Sequence, residues 1–461
     1  MKATAENFAR RLRGRQVGVI GFGITGQAVT EALLRLGALP LVTDTRPLEQ
    51  VRELAARIEA LGAEPHSGME VLLDAPDLNL VVVSPGVALA EETESRFRRA
   101  GVRLIAEIEL AYLLARGPIV AITGTNGKST TTRMVGDILR NAGVPARVGG
   151  NIGEPLVGEA LAARPGEYLV AEVSSFQLER VHDFRPRAAA LLNIRGDHLD
   201  RHGGLEGYVA AKARLFAAQE PEDLAVGNYD DPSARRVVAQ ARARQAFFSL
   251  RERPERGAWL EGERLLLALE GEPVEICTRT EISVRGNHNL ANALAACLLA
   301  ADCGADAGAM RRALTKFVLA DHTLEDLGTR GGRRWVNDSK GTNPAATAAA
   351  LEAVGYPAVL IAGGSDKGLD FEELLDPLRN WARAVVLMGA TSERLERVAR
   401  MAGIAQIRHA KDLREAVRLA VEVSEEGDTV LFSPASASFD MFRDYKDRGE
   451  QFRQAVKEGV Q

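Results

Sequence analysis

The stretch Thr123-Gly124-Thr125-Asn126-Gly127-Lys128-Ser129-Thr130 holds the residue types that bind a polyphosphate. Gly124 and Gly127 let backbone N–H groups face an anion, and the start of the following helix adds partial positive charge. Lys128 is placed to reach the terminal phosphates, and Ser129 or Thr130 to hold a magnesium ion. An apolar run at 118–122 leads in as a buried strand, and a periodic run at 131–141 leaves as a helix, which completes the strand–loop–helix layout of a phosphate cradle. The usual pattern has a glycine five residues before Gly127; here that position is Ile122, so the loop is a shortened variant. The alternative is an ordinary Gly/Thr turn.

Three further residues have chemistry that their surroundings must explain. Glu172 lies on an apolar strand, where a carboxylate is costly unless paired; otherwise it is an edge-strand residue facing water. His198, in Asp197-His198-Leu199-Asp200-Arg201, follows an apolar strand ending at Ile194, and by itself reads as a capping or surface histidine. Lys212, in Tyr208-Val209-Ala210-Ala211-Lys212, reads by pattern as a solvated helix lysine. The chain has 9 Lys against 49 Arg, so positions that stay Lys are enriched for work a guanidinium cannot do. Lys128, Lys212, Lys340 and Lys367 all fall inside motifs. A second glycine loop, Gly21-x-Gly23-x-x-Gly26 with Asp44 further on, suits a diphosphate on a helix N-terminus. With an ATP-type loop elsewhere in the chain, and with Thr25, Thr45 and Arg46 nearby, a UDP-type group is favoured over NAD; helix packing alone is the remaining reading.

The elements that position these residues alternate strand and helix in three segments. Residues 1–101 carry strands at 17–20, 39–44 and 80–83 with a helix at 26–36; residues 102–319 open on the phosphate loop and include strands at 168–173, 188–194, 246–249 and 258–269 and a helix at 289–301; residues 320–461 carry strands at 334–336, 358–361, 384–388 and 429–432. This is a doubly wound, parallel α/β pattern, and ligands in such sheets sit beyond the carboxyl ends of the strands. The length of 461 residues accommodates two to four domains. A net charge of −5 gives no broad basic surface for nucleic acid. The apolar runs are strand-sized, so no membrane span is expected, and the polar N-terminus does not read as a signal peptide. Cys277, Cys297 and Cys303 lack metal or redox spacing, which fits a reducing cytoplasm.

Taken together, the motifs resemble the Mur ligases, and within them the branch that adds D-glutamate. The resemblance runs along nearly the whole chain. It rests on Gly-Phe-Gly-Ile-Thr-Gly (21–26), Ser-Pro-Gly (84–86), the phosphate loop, Gly-Asn-Ile-Gly (150–153), Glu-Val-Ser-Ser-Phe-Gln-Leu-Glu (172–179), Asp-His-Leu-Asp-Arg (197–201), Gly-Asn-His-Asn-Leu-Ala-Asn (286–292) and Asn-Asp-Ser-Lys-Gly-Thr-Asn (337–343). It implies three domains: a Rossmann-like UDP-substrate domain (1–101), a P-loop ATPase-like central domain (102–319) and a Rossmann-like amino-acid-binding domain (320–461). It implies a cytoplasmic, monomeric, ATP-dependent enzyme that joins D-glutamate to UDP-N-acetylmuramoyl-L-alanine through an acyl phosphate in peptidoglycan precursor synthesis.

Residue by residue, the resemblance assigns ATP to Gly124, Thr125, Asn126, Gly127, Lys128, Ser129, Thr130, Asn289, Asn292 and Asp338. It assigns two magnesium ions to Ser129, Thr130, Glu172, His198 and Lys212, the last as a carbamylated lysine, with Lys128, Glu172, His198 and Lys212 carrying catalysis. Ile24, Thr25, Thr45, Arg46, Ser84, Pro85, Gly86 and Asn151 fall to the UDP-substrate, and Lys340, Thr342, Lys367, Ser438 and Tyr445 to D-glutamate. Two positions depart from the pattern: the usual His-Arg pair is His322-Thr323, leaving Arg330, Arg333 or Arg334 as candidate substitutes, and the usual Phe of the amino-acid pocket is Tyr445. Competing readings are another ATP-dependent amide ligase such as a folate polyglutamate synthetase, an NAD-dependent oxidoreductase, and a nucleotide-hydrolysing switch.

Overall fold

The computed structural model describes residues 2–197 and 199–460. Its contacts divide the chain into two compact units, one of residues 1–194, 202–281 and 292–315, the other of 195–201, 282–291 and 316–461.

The first unit contains two sheets. The smaller has five parallel strands in the order Pro65–Ser67, Leu39–Asp44, Gln16–Ile20, Leu80–Val83, Arg103–Ala106. Helices cover both faces, so its central strands carry near-continuous apolar runs. Ile20, Val81, Val83 and Phe97 fill one face, and Val17, Val19, Val42 and Val82 the other. The larger sheet has nine strands, in the order Ala146–Gly150, Tyr168–Glu172, Ile119–Thr123, Ala188–Leu191, Leu224–Asn228, Arg244–Ser249, Gly257–Glu261, Arg264–Ala268, Val274–Thr278. Pairing is parallel as far as Gly257–Glu261 and antiparallel beyond. The expected single strand at 258–269 is a hairpin. Gly262, at φ +61, opens a two-residue turn between Glu261 and Arg264, and the apolar residues on both sides disguised it.

One apolar core runs beneath both sheets of this unit, from Val17 and Leu33 through Ile108 and Leu114 to Ala121 and Leu169. Two buried carboxylates on helix Glu107–Leu114 reinforce it. Glu109 accepts from the backbone N–H groups of His182, Asp183 and Phe184 at 3.0, 2.8 and 2.9 Å, and from Arg103 at 3.1 Å. Glu107 accepts from Val157 N–H at 2.6 Å, at the start of helix Leu156–Ala162. Burial pushes its pKa up to about 7 against the opposing pull of that N–H.

The second unit has one six-stranded sheet, ordered Glu325–Arg330, Arg333–Asn337, Thr429–Phe432, Ala358–Ala362, Ala382–Leu387, Gln406–His409. Only the first pair is antiparallel. Val359, Ile361, Val386 and Phe432 line one face, and Leu360, Val385, Leu387 and Leu431 the other. Three α/β sheets are present, the first of them including strand Arg103–Ala106, beyond the expected boundary at 101. The strands that sequence periodicity passed over (Pro65–Ser67, Arg103–Ala106, Gln406–His409 among them) are short or at sheet edges, where side-chain alternation is weakest. Among the described residues no helix is long and apolar enough to cross a membrane.

Candidate active site

The phosphate loop leaves strand Ile119–Thr123 and ends at Gly127, the N-cap of helix Lys128–Asn141. Gly127 has φ +85, and a Cβ there would lie 2.3 Å from Asn292 Oδ1, so backbone conformation and packing both require glycine. The helix starts three residues earlier than periodicity indicates. Lys128, Ser129 and Thr130 are therefore its first turn, and their N–H groups have no intrahelical acceptor.

Lys128 Nζ donates to the carbonyl oxygens of Gly124 and Thr125, at 3.0 and 2.8 Å. Ser129 Oγ donates to Glu172 Oε2 at 2.6 Å, and Asn151 Nδ2 donates to Glu172 Oε1 at 3.0 Å. Glu172 is 2% exposed on an interior strand, which overturns the edge-strand reading. Lys212 is 1% exposed, so it is not a solvated helix lysine either. Its Nζ donates to Gly124 O at 2.9 Å and Thr123 Oγ1 at 3.3 Å, and lies 4.5 Å from the centre of the Tyr208 ring. The Tyr208 hydroxyl is 3.2 Å from Thr125 Oγ1. His198 lies outside the described residues.

Two residues that pattern reading did not single out join this cluster. Asn193 bonds to the loop at Thr125 and Asn126. His202 has Nε2 at 3.0 Å from Ser175 Oγ and its ring stacked on Phe176 with centroids 5.5 Å apart. It packs against the Ser-Ser-Phe-Gln motif, whose Ser174 and Gln177 form a capping box. Neither stands out by type: one is an Asn just past a strand and the other a His ending a four-residue helix.

In the smaller sheet of the same unit, the glycine loop 21–26 opens helix Ile24–Arg35, which has no side-chain cap. A Cβ on Gly26 would meet Gly21 O at 1.7 Å, so only glycine permits the turn. Asp44 organises this end of the sheet. It is 2% exposed and accepts from Phe22 N–H at 3.1 Å, Arg46 N–H at 3.0 Å and the Arg46 guanidinium at 2.8 and 3.0 Å. Burial works to raise its pKa, but the Arg46 hydrogen bonds outweigh it and the carboxyl titrates below the usual range. Ile24, Thr45 and Arg46 are exposed beside it, Ile24 by 70%, while Ser84 is buried against the turn. An exposed apolar side chain, a guanidinium and a helix start without a side-chain cap thus stand at this end of the sheet.

In the second unit, Asn289 is buried and its Nδ2 donates to Arg285 O at 2.7 Å. Helix Asn287–Asp302 starts before it, so it is not the N-cap. Asp338, at the tip of strand Arg333–Asn337, accepts from Ser433 Oγ at 2.7 Å and Leu324 N–H at 3.1 Å. Burial raises its pKa to about 7. Lys340 and Thr342 follow in the same loop, Lys367 is exposed in the loop after Ala358–Ala362, Ser438 is buried after Thr429–Phe432, and Tyr445 begins helix Tyr445–Gly459. All stand at the carboxyl ends of strands. Arg448, absent from the sequence reading, holds this floor together. It is 1% exposed and donates to Ser339 Oγ and O, Ser436 O and Ala437 O at 3.1, 2.8, 3.0 and 3.0 Å. Burial lowers its pKa to about 10. In an Arg-rich chain nothing marked it out.

The candidate substitutes for the usual arginine lie at or beside the start of the strand that ends at Asn337. Arg330 and Arg333 close the hairpin at the opposite end of strand Arg333–Asn337 from Asp338; Arg333 bonds to Ser424, and Arg334 to Asp326. His322, at φ +62, is held by Asn337 at 3.0 Å.

Family comparisons cover the same three regions. Descriptions of a Mur ligase MurD-like N-terminal domain, a Mur ligase middle domain and a Mur ligase glutamate ligase domain match residues 15–106, 122–300 and 324–436. A protein of Pelotomaculum thermopropionicum named UDP-N-acetylmuramoylalanine–D-glutamate ligase is 44% identical over 448 residues, 96% of this chain and 97% of the relative.

The chain belongs to the Mur ligase family.

A second relative of the same name, from Alkaliphilus oremlandii, is 40% identical over 96% of this chain and 98% of its own length. Among solved Mur ligase structures, MurC of Thermotoga maritima aligns with TM-score 0.57 at 20% identity, and a pseudomurein peptide ligase type C of Methanothermus fervidus with TM-score 0.60 at 17%; each alignment covers 96% of this chain and 99% of the other. At those identities the likeness is one of fold: a Mur ligase α/β architecture built on three sheets.

Proposed function

We propose that this Mur ligase joins D-glutamate to UDP-N-acetylmuramoyl-L-alanine at the expense of ATP, in the cytoplasmic stage of peptidoglycan precursor synthesis. The observation that carries the reading is the full-length likeness to the D-glutamate ligases, joined to a buried carboxylate, Glu172, hydrogen-bonded by the first-turn hydroxyl of a phosphate loop. Residues 1–101, 102–319 and 320–461 are read as the UDP-substrate, ATP and amino-acid domains; three separate sheets favour three such parts, though the first sheet reaches Ala106.

In the reaction, a carboxylate oxygen of the UDP-sugar substrate attacks the γ-phosphorus of ATP, and ADP leaves. The D-glutamate nitrogen then attacks the acyl carbon, phosphate leaves, and the nitrogen gives up a proton. Two anions meet in the first step, so fixed positive charge must offset their repulsion. Lys128 and the helix-start amides 127–130 supply it. Asp44, Arg46, Ser84 and the 21–26 loop hold the UDP end. Lys340, Thr342, Lys367, Ser438 and Tyr445 orient D-glutamate, with a cation and neutral donors for its two carboxylates.

The oxygen groups that meet at Glu172 are its own carboxylate and the Ser129 hydroxyl, with Thr130 next in the same helical turn, and such hard donors fit magnesium completed by phosphate and water. A first ion held by Ser129, Thr130 and Glu172, and a second by His198 and carbamylated Lys212, would supply charge neutralisation. Carbamylation adds CO₂ to the amine and releases a proton, and the buried Lys212 Nζ stands at the loop, within reach of Gly124 O and Thr123 Oγ1. The reading is tested by phosphate release from ATP with UDP-N-acetylmuramoyl-L-alanine, with and without D-glutamate. Release that depends on both substrates supports it; release indifferent to both would identify a nucleotide switch instead.

A further inference from the structure

We infer that Asn193 is a positioning residue that sets which amides of the phosphate loop are left for the nucleotide. The inference rests on reading that loop as the ATP site.

Asn193 stands two residues past the end of strand Ala188–Leu191, which pairs in parallel with the strand feeding the loop. It makes three hydrogen bonds to the loop's apex. Its carbonyl accepts from Thr125 N–H at 3.0 Å, its Oδ1 accepts from Asn126 N–H at 2.9 Å, and its Nδ2 donates to Asn126 O at 3.1 Å. The side-chain pair satisfies both backbone groups of Asn126 as a neighbouring strand would. The N–H groups of Thr125 and Asn126 are thereby turned inward to protein acceptors. The remaining donors are those of Gly127 and the first helical turn, which point along the helix axis where the dipole is concentrated. Asn193 thus takes Thr125 and Asn126 out of the cradle, so that past Gly124 the amides left for the nucleotide are those of residues 127–130, with Lys128 bonded back to the loop at Gly124 and Thr125.

Asn193 is itself anchored from behind. Leu192 N–H donates to Thr123 O at 3.0 Å, Asn228 Nδ2 donates to Leu192 O at 3.0 Å, and Ile194 N–H donates to Asp231 Oδ2 at 3.1 Å. The residue on either side is pinned, so the amide side chain is presented to the loop from a fixed point. Losing it frees the apex without removing any group that touches the nucleotide.

The experiment measures steady-state constants for all three substrates and calorimetric binding of Mg-ADP, in the wild type, Asn193→Ala and Lys128→Ala. With two side-chain hydrogen bonds removed, Asn193→Ala raises the KM for ATP and the Kd for Mg-ADP about tenfold or more. The KM values for the UDP-sugar and D-glutamate stay within about twofold of wild type by the same argument. Partial misfolding lowers kcat and moves no KM, so it cannot imitate this result. The near-isosteric Asn193→Asp keeps the acceptor for Asn126 N–H but sets a carboxylate against Asn126 O; the same selective rise is expected, and this variant serves if the alanine protein is insoluble. Unchanged nucleotide constants in a soluble variant, or equal rises for all three substrates, overturn the proposal. Failure of the site reading looks different: wild type and Lys128→Ala then bind Mg-ADP alike.

Discussion

Lys128 and Lys212 donate to the same acceptor, the carbonyl oxygen of Gly124, at 3.0 and 2.9 Å. Two amines thus converge on one backbone oxygen, and one of them is 1% exposed. A carbamate on Lys212, as proposed above, would turn one member of this pair into an anion.

The first prediction follows directly. Lys212→Ala and Lys212→Arg should both lose essentially all ligase activity, because neither side chain forms a carbamate. A short carboxylic acid added to Lys212→Ala should restore part of the rate, and should do nothing for Lys212→Arg, whose guanidinium fills the space. Full activity in Lys212→Arg would refute a carbamate role.

Glu172→Gln keeps the shape and the hydrogen-bond geometry while removing the charge. The Ser129 and Asn151 contacts at 2.6 and 3.0 Å should survive in part, so the protein should unfold at nearly the wild-type temperature. The turnover number should fall about 10²–10³-fold, the usual effect of removing one preorganised electrostatic group. Raising the magnesium concentration should recover some of it.

Asp44→Asn should act on one substrate alone. It replaces a carboxylate that holds the Arg46 guanidinium through two bonds. Loosening Arg46 should raise the KM for the UDP-sugar about tenfold, as expected for a charge-assisted pair, with the ATP constant unmoved. Equal changes in both would mean the glycine loop 21–26 has a purely structural job.

Glu107 gives the protein a particular dependence on pH. Its pKa is about 7 when folded and 4.5 as the ordinary value. The folded state therefore holds the proton more tightly, and its stabilising contribution is complete below about pH 4.5 and disappears as pH rises through about 7. The gap corresponds to roughly 3 kcal/mol. Glu107→Gln, which is neutral throughout, should be more stable than wild type at pH 8 and about equal at pH 5, by denaturant unfolding at each pH.

Much of this was legible in the residues alone. The phosphate loop, Glu172 and the three α/β segments followed from strand–glycine–lysine order and apolar periodicity, which depend on neighbours in sequence. The burial of Lys212 was not legible, because a helix lysine betrays its surroundings only when another strand packs over it. Arg448 and Asn193 were missed for the same reason: each works through contacts 11 to 109 residues away or, for Asn193, 67 residues away. The hairpin at Gly262 was missed because two apolar strands joined by two residues share one hydropathy profile.

The grip of Arg448 on Ser339, Ser436 and Ala437 has a further result. Ser365 N–H donates to that same Ala437 carbonyl at 2.9 Å, so loops from three strands share one set of acceptors, with a single cation as their keystone. A floor of this kind moves as one piece or not at all, and under the role proposed for this region a change in amino-acid preference during evolution would have to arise at exposed positions such as Lys367, while the stone beneath stays in place.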